Sequence, residues 1–370
     1  MKPRVLIAAP FPPPTTGQSL VTEMAAEALG EGAEVVRLDT ADRTLVWRRS
    51  WSVPSRRVAR WRANLSRLRT TLRETPVDAV YLTPASSALG FLRDVLMVSI
   101  IPRPIPILAH IHAGDYGRLL GAGVLGPLAR AVARRFHTLI VPSAYAAAPI
   151  RRALPEADLR VVHNTVREGL RFAPADVDAA WDRREGRPVV LFLSNMIPSK
   201  GYSLLAEAVP LLGRDVELVF AGAWASGDDR AAFERTLQTL DLDARVLGAV
   251  GEAETRALFA SASVFAFPST YPHESFPLAV LEAKAAGCAV VAIDHAGVGE
   301  MVRDGVDGRL VARADARAFA AALGEALDDA ERLGRAGAAH VREAFAPDAF
   351  GGALADVIHD LSFDSRPALP

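Results

Sequence analysis

The sequence predicts two tandem α/β domains, each a doubly wound parallel sheet with helices on both faces. Three observations carry this. Short apolar runs alternate with helix-spaced segments. The alternation stops at a charged stretch, residues 173–187, and then restarts. The halves also differ in charge: residues 1–185 carry 26 Lys and Arg against 17 Asp and Glu, and residues 186–370 carry 16 against 26. At 370 residues the chain exceeds what one hydrophobic core usually fills.

In chain order, the runs Val5–Ala9, Glu34–Leu38, Ala79–Leu82, Ile105–Ile111, Thr138–Val141 and Leu159–Val162 read as buried strands. Helical spacing separates several of them, as in Leu20, Val21, Met24, Ala25 and Leu29. Continuous apolar strands between helices argue for a sheet covered on both faces. The pattern resumes with Pro188–Ser194, Val216–Ala221, Arg245–Leu247, Val264–Phe267, Ala289–Ile293 and Arg309–Val311, and Asp348–Leu361 reads as a terminal helix. The expected organisation is a Rossmann-like domain over 1–172, a linker over 173–187, a second such domain over 188–345, and a helix and tail over 346–370. Two such domains are expected to face each other across a cleft, with the terminal helix returning to the first.

Half the residues are hydrophobic and 23% are charged, a folded rather than disordered composition. The single cysteine, Cys288, excludes a disulfide framework and a multi-cysteine zinc site, and fits a reducing, cytoplasmic compartment. No run is apolar enough to span a bilayer, and the short apolar start before Pro12, Pro13 and Pro14 does not read as a signal peptide. A net charge of −1 argues against nucleic acid as a partner.

The stretch from Phe267 to Glu282 is the most informative. A strand ends at Phe267, and a loop carries His273 and Glu274. A helix is expected to start near Ser275–Pro277, with Ser275 as N-cap, and to stop at Gly287. A helix start offers free N–H groups to a phosphate. Glu282 then lies roughly 7 Å along the axis from that start, about the distance from a diphosphate to a ribose. Two carboxylates flanking an anion site suit hydroxyl binding. His110 is expected on the opposite strand face from His112 and structural, and Asp228-Asp229 in a solvated loop.

Glu274-x7-Glu282, followed by Gly297, Gly299 and Glu300, resembles the signature of family-4 retaining glycosyltransferases, which have the GT-B fold. Further pieces keep the family's order: the loop at Gly17, His110-x-His112-x-Gly114, Val141-Pro142-Ser143, His163-Asn164-Thr165, Lys200-Gly201, and Arg303-Asp304-Gly305 through Gly308. The resemblance implies a metal-independent enzyme without a cofactor. It would move a sugar from a nucleoside diphosphate to a glycan or lipid-linked acceptor, as in polysaccharide assembly. It implies catalytic roles for His112, Glu274 and Lys200. Donor contacts are implied for Gly17, Asn195, Gly248, Val250, Phe276, Leu278, Ala279 and Glu282. Three positions depart from the pattern: Asn195 stands where the family has arginine, Gln18 where a second glycine is usual, and Pro277 where a glycine N–H commonly meets the sugar. Other readings are a nucleotide-sugar epimerase or hydrolase, or a non-catalytic nucleotide-sugar-binding module.

Residues 43–73 hold ten arginines and no acid, with Trp47, Trp51 and Trp61 among them. Val58, Trp61, Leu65, Leu68 and Leu72 share one helical face. This segment is expected to meet an anionic membrane surface peripherally, on its inner face, or a lipid-linked acceptor.

Overall fold

The computed structural model describes residues 2–41, 54–184 and 186–361. Their contacts divide into two units. One takes the described residues up to Asn164 together with those from Pro347 onward, and the other is Thr165–Ala346.

The first unit contains β1 (Arg4–Ala9), β2 (Glu34–Asp39), β3 (Ala79–Leu82), β4 (Ile107–His110), β5 (Thr138–Val141) and β6 (Leu159–Val161). They form one parallel sheet in the order β2-β1-β3-β4-β5-β6. β3, β4 and β5 are buried along their whole length, and apart from His110 and Thr138 their residues are apolar or aromatic, which is why they read as apolar runs. The terminal helix Pro347–His359 belongs to this unit. It buries Phe350, Leu354, Val357 and Ile358, one helical stripe, and packs on the Gly17–Gly32 helix.

The second unit contains β7 (Val189–Leu193), β8 (Glu217–Ala221), β9 (Ala244–Val246), β10 (Val264–Phe267), β11 (Ala289–Ile293) and β12 (Arg309–Val311). Its sheet is also parallel, ordered β12-β11-β10-β7-β8-β9. Alternate residues feed opposite faces. Leu191, Val219, Phe265 and Val290 join one core, while Val190, Leu218, Val264 and Val291 join the other. Each unit is thus a Rossmann-like doubly wound domain, as the alternation predicts.

Strand order reverses between β7 and β10. In open parallel sheets, ligands bind beyond the carboxyl ends of the strands at such a reversal. The segments that leave those two ends are 194–200 and 268–278.

The expected linker is a correction. Within 173–187, Pro174–Arg183 is a helix that buries Val177 and Ala180 in the second unit. Arg184 then donates to four carbonyls, those of Phe259, Ala260, Ala286 and Gly287. The apolar stripe is short and set among charges, so composition hides it. Asp228 and Asp229 are likewise not in a loop. They occupy the first turn of the Gly227–Thr239 helix, where acids complement the helix dipole, and Ser226 caps it.

Candidate functional site

After β7 the chain passes Ser194 and Asn195 to a 3-10 turn, Pro198–Lys200. Gly201 follows with φ +84, and a Cβ there would sit 2.1 Å from the Pro268 carbonyl oxygen. Glycine is therefore required by both conformation and space. The same close approach lets the Thr270 N–H donate to the Ser199 carbonyl at 2.8 Å. The loops after β7 and β10 are stitched together, and this brings Lys200 onto Glu274.

The Lys200 ammonium donates to the Glu274 carboxylate, both side chains being about nine-tenths buried. Ser269 Oγ donates to the same carboxylate oxygen at 3.2 Å. The lysine also lies 4.6 Å from the centroid of the Tyr271 ring and 5.6 Å from that of Phe267. Aromatic faces and a carboxylate thus hold one cation at the mouth of β10.

The helix expected at Ser275 starts later, at Leu278, and ends at Ala285. Pro277 is its N-cap, with φ −68 and ψ 118, and offers no side-chain cap. Proline disfavours helical backbone in the residue before it, so the helix cannot extend back to Ser275. Ser275 is instead buried, and its hydroxyl has no partner among the described residues. The predicted stop holds. Gly287, at φ +73, donates to the Lys284 carbonyl, and Cys288 donates to that of Ala283, closing a Schellman motif.

Glu282 is 2% exposed. Arg167 Nε donates to its Oε1 at 2.6 Å, and Arg167 Nη1 lies 3.5 Å from Glu252. Burial pulls the Arg167 pKa down, but the hydrogen bond and charge of Glu282 hold it above its ordinary value. Sequence reasoning missed Arg167. It lies 115 residues from its partner, in a stretch whose neighbouring arginines look alike.

The remaining expected residues of this unit fall at the same strand ends or beside them. Asn195 is half-buried after β7. Gly248 follows β9 and accepts from the Gly222 N–H at 2.9 Å, and half-buried Val250 packs against the core. Phe276 is buried, with its ring edge-on to Phe345 and ring centroids 5.6 Å apart. Leu278 and Ala279 occupy the first helical turn, where N–H groups have no intrahelical acceptor.

Gly17 and His112 belong to the first unit. Gly17 is the first residue of a helix capped reciprocally by Thr16 and Ser19. His112 lies just after β4. Its Nε2 is sealed from solvent without a partner among the described residues, and burial lowers its pKa to about 3. His110 does not point away from it. The two rings lie 4.2 Å apart, because residues two apart leave a strand on the same face. His110 is itself fully buried against the Tyr81 hydroxyl through Nδ1.

Residues 176–340 match the family model described as "Glycosyl transferases group 1". The chain resembles the family-4, group 1 type of glycosyltransferase. It is 34% identical over 215 residues to a D-inositol 3-phosphate glycosyltransferase of Streptomyces scabiei, covering 53% of this chain and 47% of that one. It is 34% identical over 181 residues to a GDP-mannose-dependent alpha-(1-6)-phosphatidylinositol monomannoside mannosyltransferase of Mycolicibacterium smegmatis, covering 46% and 47%. The chain thus spans about half the length of these curated relatives. Among solved structures, a sucrose-phosphate synthase from Thermosynechococcus elongatus superposes with a TM-score of 0.78 at 18% identity, over 99% of this chain and 100% of that one. Anabaena HepE in complex with UDP and glucose gives 0.72 at 17% identity, over 96% and 99%. At these identities the two structures speak for the fold alone, which is of the GT-B class.

Proposed function

We propose that the chain is a retaining glycosyltransferase. It moves a sugar from a nucleoside diphosphate sugar to a glycan or lipid-linked acceptor, without a metal ion. The observation that carries this reading is the meeting of Lys200 with Glu274 at the β7–β10 reversal, with Glu282 buried on the helix that follows. The bond from the anomeric carbon to the diphosphate oxygen breaks, and the acceptor oxygen bonds to the same face of that carbon. The electron pair of the broken bond collects on the departing diphosphate, and the acceptor's proton passes to that diphosphate oxygen. Lys200 and the first-turn N–H groups of Leu278 and Ala279 are fixed positive partners for that charge. They supply what a divalent cation would otherwise supply.

Glu282, with one oxygen held by Arg167, offers the other to ribose hydroxyls. Glu274 accepts from sugar hydroxyls, and the backbone at Gly248 and Val250 meets the base. The Phe276 backbone and Asn195 border the diphosphate. Gly17 keeps the donor-contacting role, and His112 the catalytic role, that the resemblance implies. The relatives' printed names, GDP-mannose-dependent in one and inositol-phosphate glycosyltransferase in another, support a nucleotide-sugar donor and a polar or lipid-borne acceptor.

The acceptor is reached at an anionic membrane surface on its cytoplasmic side, aided by residues 43–73. Of these, 43–53 lie outside the described residues. Pro54–Glu74 is a helix with Leu68 buried and Arg62, Arg69 and Arg73 exposed. No helix among the described residues is long and apolar enough to cross a membrane.

The test is sugar transfer from a panel of uridine, guanosine and adenosine diphosphate sugars, with anomeric configuration read by NMR. Binding without transfer for every donor would favour a non-catalytic module. An inverted product would refute retention.

A further inference from the structure

The first unit carries an outward surface that differs from an ordinary helical exterior. The helix Ala88–Ile100 turns Phe91, Asp94, Met97 and Val98 inward. Its outward residues are Ala88, Leu89, Leu92, Leu96 and Ser99, none of them charged. A solvent-facing helix side normally carries charge. The segment before and within the neighbouring helix, Gly126–Ala133, behaves alike. Between 121 and 131 its exposed residues are Gly121, Gly123, Val124, Pro127, Leu128 and Ala131. The two helices pack against each other. Together they expose Leu89, Leu92, Leu96, Val124 and Leu128 at between 43% and 95%, five of the large apolar side chains exposed among the described residues. Scattered single leucines need no explanation, but a cluster on adjoining elements does.

Charge reappears at one end of this surface, with arginines in excess of acids. Residues 88–135 contain six arginines and two acids. Of the acids, Asp94 is buried against Arg93 and the Ala85 N–H, and Asp115 is half-buried. A pocket of about 440 Å³ opens where the two elements end, lined by Arg103, Arg134, Arg135, Phe136, His137 and Leu361. Arg135 is fixed there by donating to the Pro102 and Ile105 carbonyls, while Arg134 pairs with exposed Glu156. Burial, and then the nearby charge of Arg103, lower the Arg135 pKa.

We propose that this face of the first unit, formed by the Ala88–Ile100 helix and residues 121–135, docks on an anionic lipid surface. Leu89, Leu92, Leu96, Val124 and Leu128 enter the acyl boundary, and Arg103, Arg134 and Arg135 meet headgroup phosphates. An uncharged apolar plateau with a basic rim is complementary to that surface. A protein partner of ordinary polarity would leave the arginine rim unmatched. The surface is separate from residues 43–73, and its test does not pass through sugar transfer.

The experiment is co-sedimentation of the full chain with vesicles of phosphatidylcholine alone and of phosphatidylcholine with equal phosphatidylglycerol. The wild type should bind the anionic vesicles, and more weakly as salt rises. The double variant Leu92→Ser with Leu96→Ser should lose affinity about tenfold per leucine, since each forfeits much of its apolar transfer energy. Arg103→Glu with Arg134→Glu should lose at least about fivefold per arginine. All four side chains are outward, so circular dichroism and melting should match the wild type. Arg62→Glu with Arg69→Glu, on the basic helix, is the counter-test. If it abolishes binding while the other two variants bind as wild type, the surface is misassigned. The proposal is equally overturned if the wild type ignores anionic vesicles. It is also overturned if sedimentation velocity shows that Leu92 and Leu96 hold two copies of the chain together instead. Donor-nucleotide release with a soluble acceptor is measured alongside. Its loss would count against the transferase reading and leave the docking result standing.

Discussion

Glu282→Gln separates the two jobs assigned to that carboxylate. The pair it forms with Arg167 is short, at 2.6 Å, with the glutamate side chain 3% exposed and the arginine 16%. Glutamine keeps the volume and an acceptor for Arg167 Nε, so only the charge is lost. Solvent and Glu252, 3.5 Å from Arg167, take up part of that loss. The cost in stability should therefore be about 1–2 kcal/mol, below the ~3–5 kcal/mol of deleting one partner of a buried pair. Arg167→Met is that harsher case, because it strands a carboxylate with almost no water, and should cost about 3 kcal/mol. Binding separates differently. A hydrogen bond to a charged group is worth about 1.5–3 kcal/mol, so Glu282→Gln should weaken nucleoside diphosphate affinity roughly ten- to hundredfold. Isothermal titration with the preferred nucleotide measures the second effect, and urea unfolding of the protein alone measures the first. An affinity within twofold of wild type, with the stability loss present, would make Glu282 merely an anchor for Arg167 and refute its placement at the ribose.

Other perturbations test neighbouring parts of the argument. Lys200→Met removes the fixed positive partner of the leaving group, and initial-rate assays should show transfer down roughly a hundred- to thousandfold. Gly201→Ala forces a side chain into left-handed backbone and into the Pro268 carbonyl, 2.1 Å away. It should lower the unfolding free energy read from urea melts by more than the ~1–2 kcal/mol of the conformation alone, and transfer should fall with it. Gly248→Ala, with no atom within 4 Å of the added carbon, should leave the midpoint unchanged. Asp307→Asn probes the fully buried pair of Lys284 Nζ and Asp307 Oδ1 at 2.8 Å, which Arg303 and His340 also join, and should cost about 3–5 kcal/mol. Burial alone would raise the Asp307 pKa, but the hydrogen bond and charge of Lys284, then Arg303, hold it below 3.8. Its stabilising contribution is thus complete above pH 3.8 and lost as pH falls toward the folded value. Urea melts across that acid range should be steeper in pH for the wild type than for Asp307→Asn, and parallel curves would refute the assignment.

Local signals made the strands legible, and long-range partnerships hid much of the site. β3, β5, β10 and β11 are buried on both faces, so apart from Thr138 at the start of β5 their residues are apolar or aromatic, and that pattern survives in any window of sequence. The Pro174–Arg183 helix buries only one side, so its few apolar residues are outvoted by Asp and Arg in the same window. At the site, Gly287 could be read because a helix stop in left-handed backbone is a property of one residue. The helix start could not be placed by the same reasoning, because two local rules compete there: serine favours the cap and proline forbids helix before it, and the steric rule wins. Lys200 and Glu274 were each singled out, yet they lie 74 residues apart and their contact depends on two loops meeting through Gly201. Arg167 makes the point most sharply. A buried carboxylate needs a counter-charge, so Glu282 at 2% exposure demands a cation. Which of the chain's many arginines answers is decided by packing across 115 residues, information that no spacing rule contains.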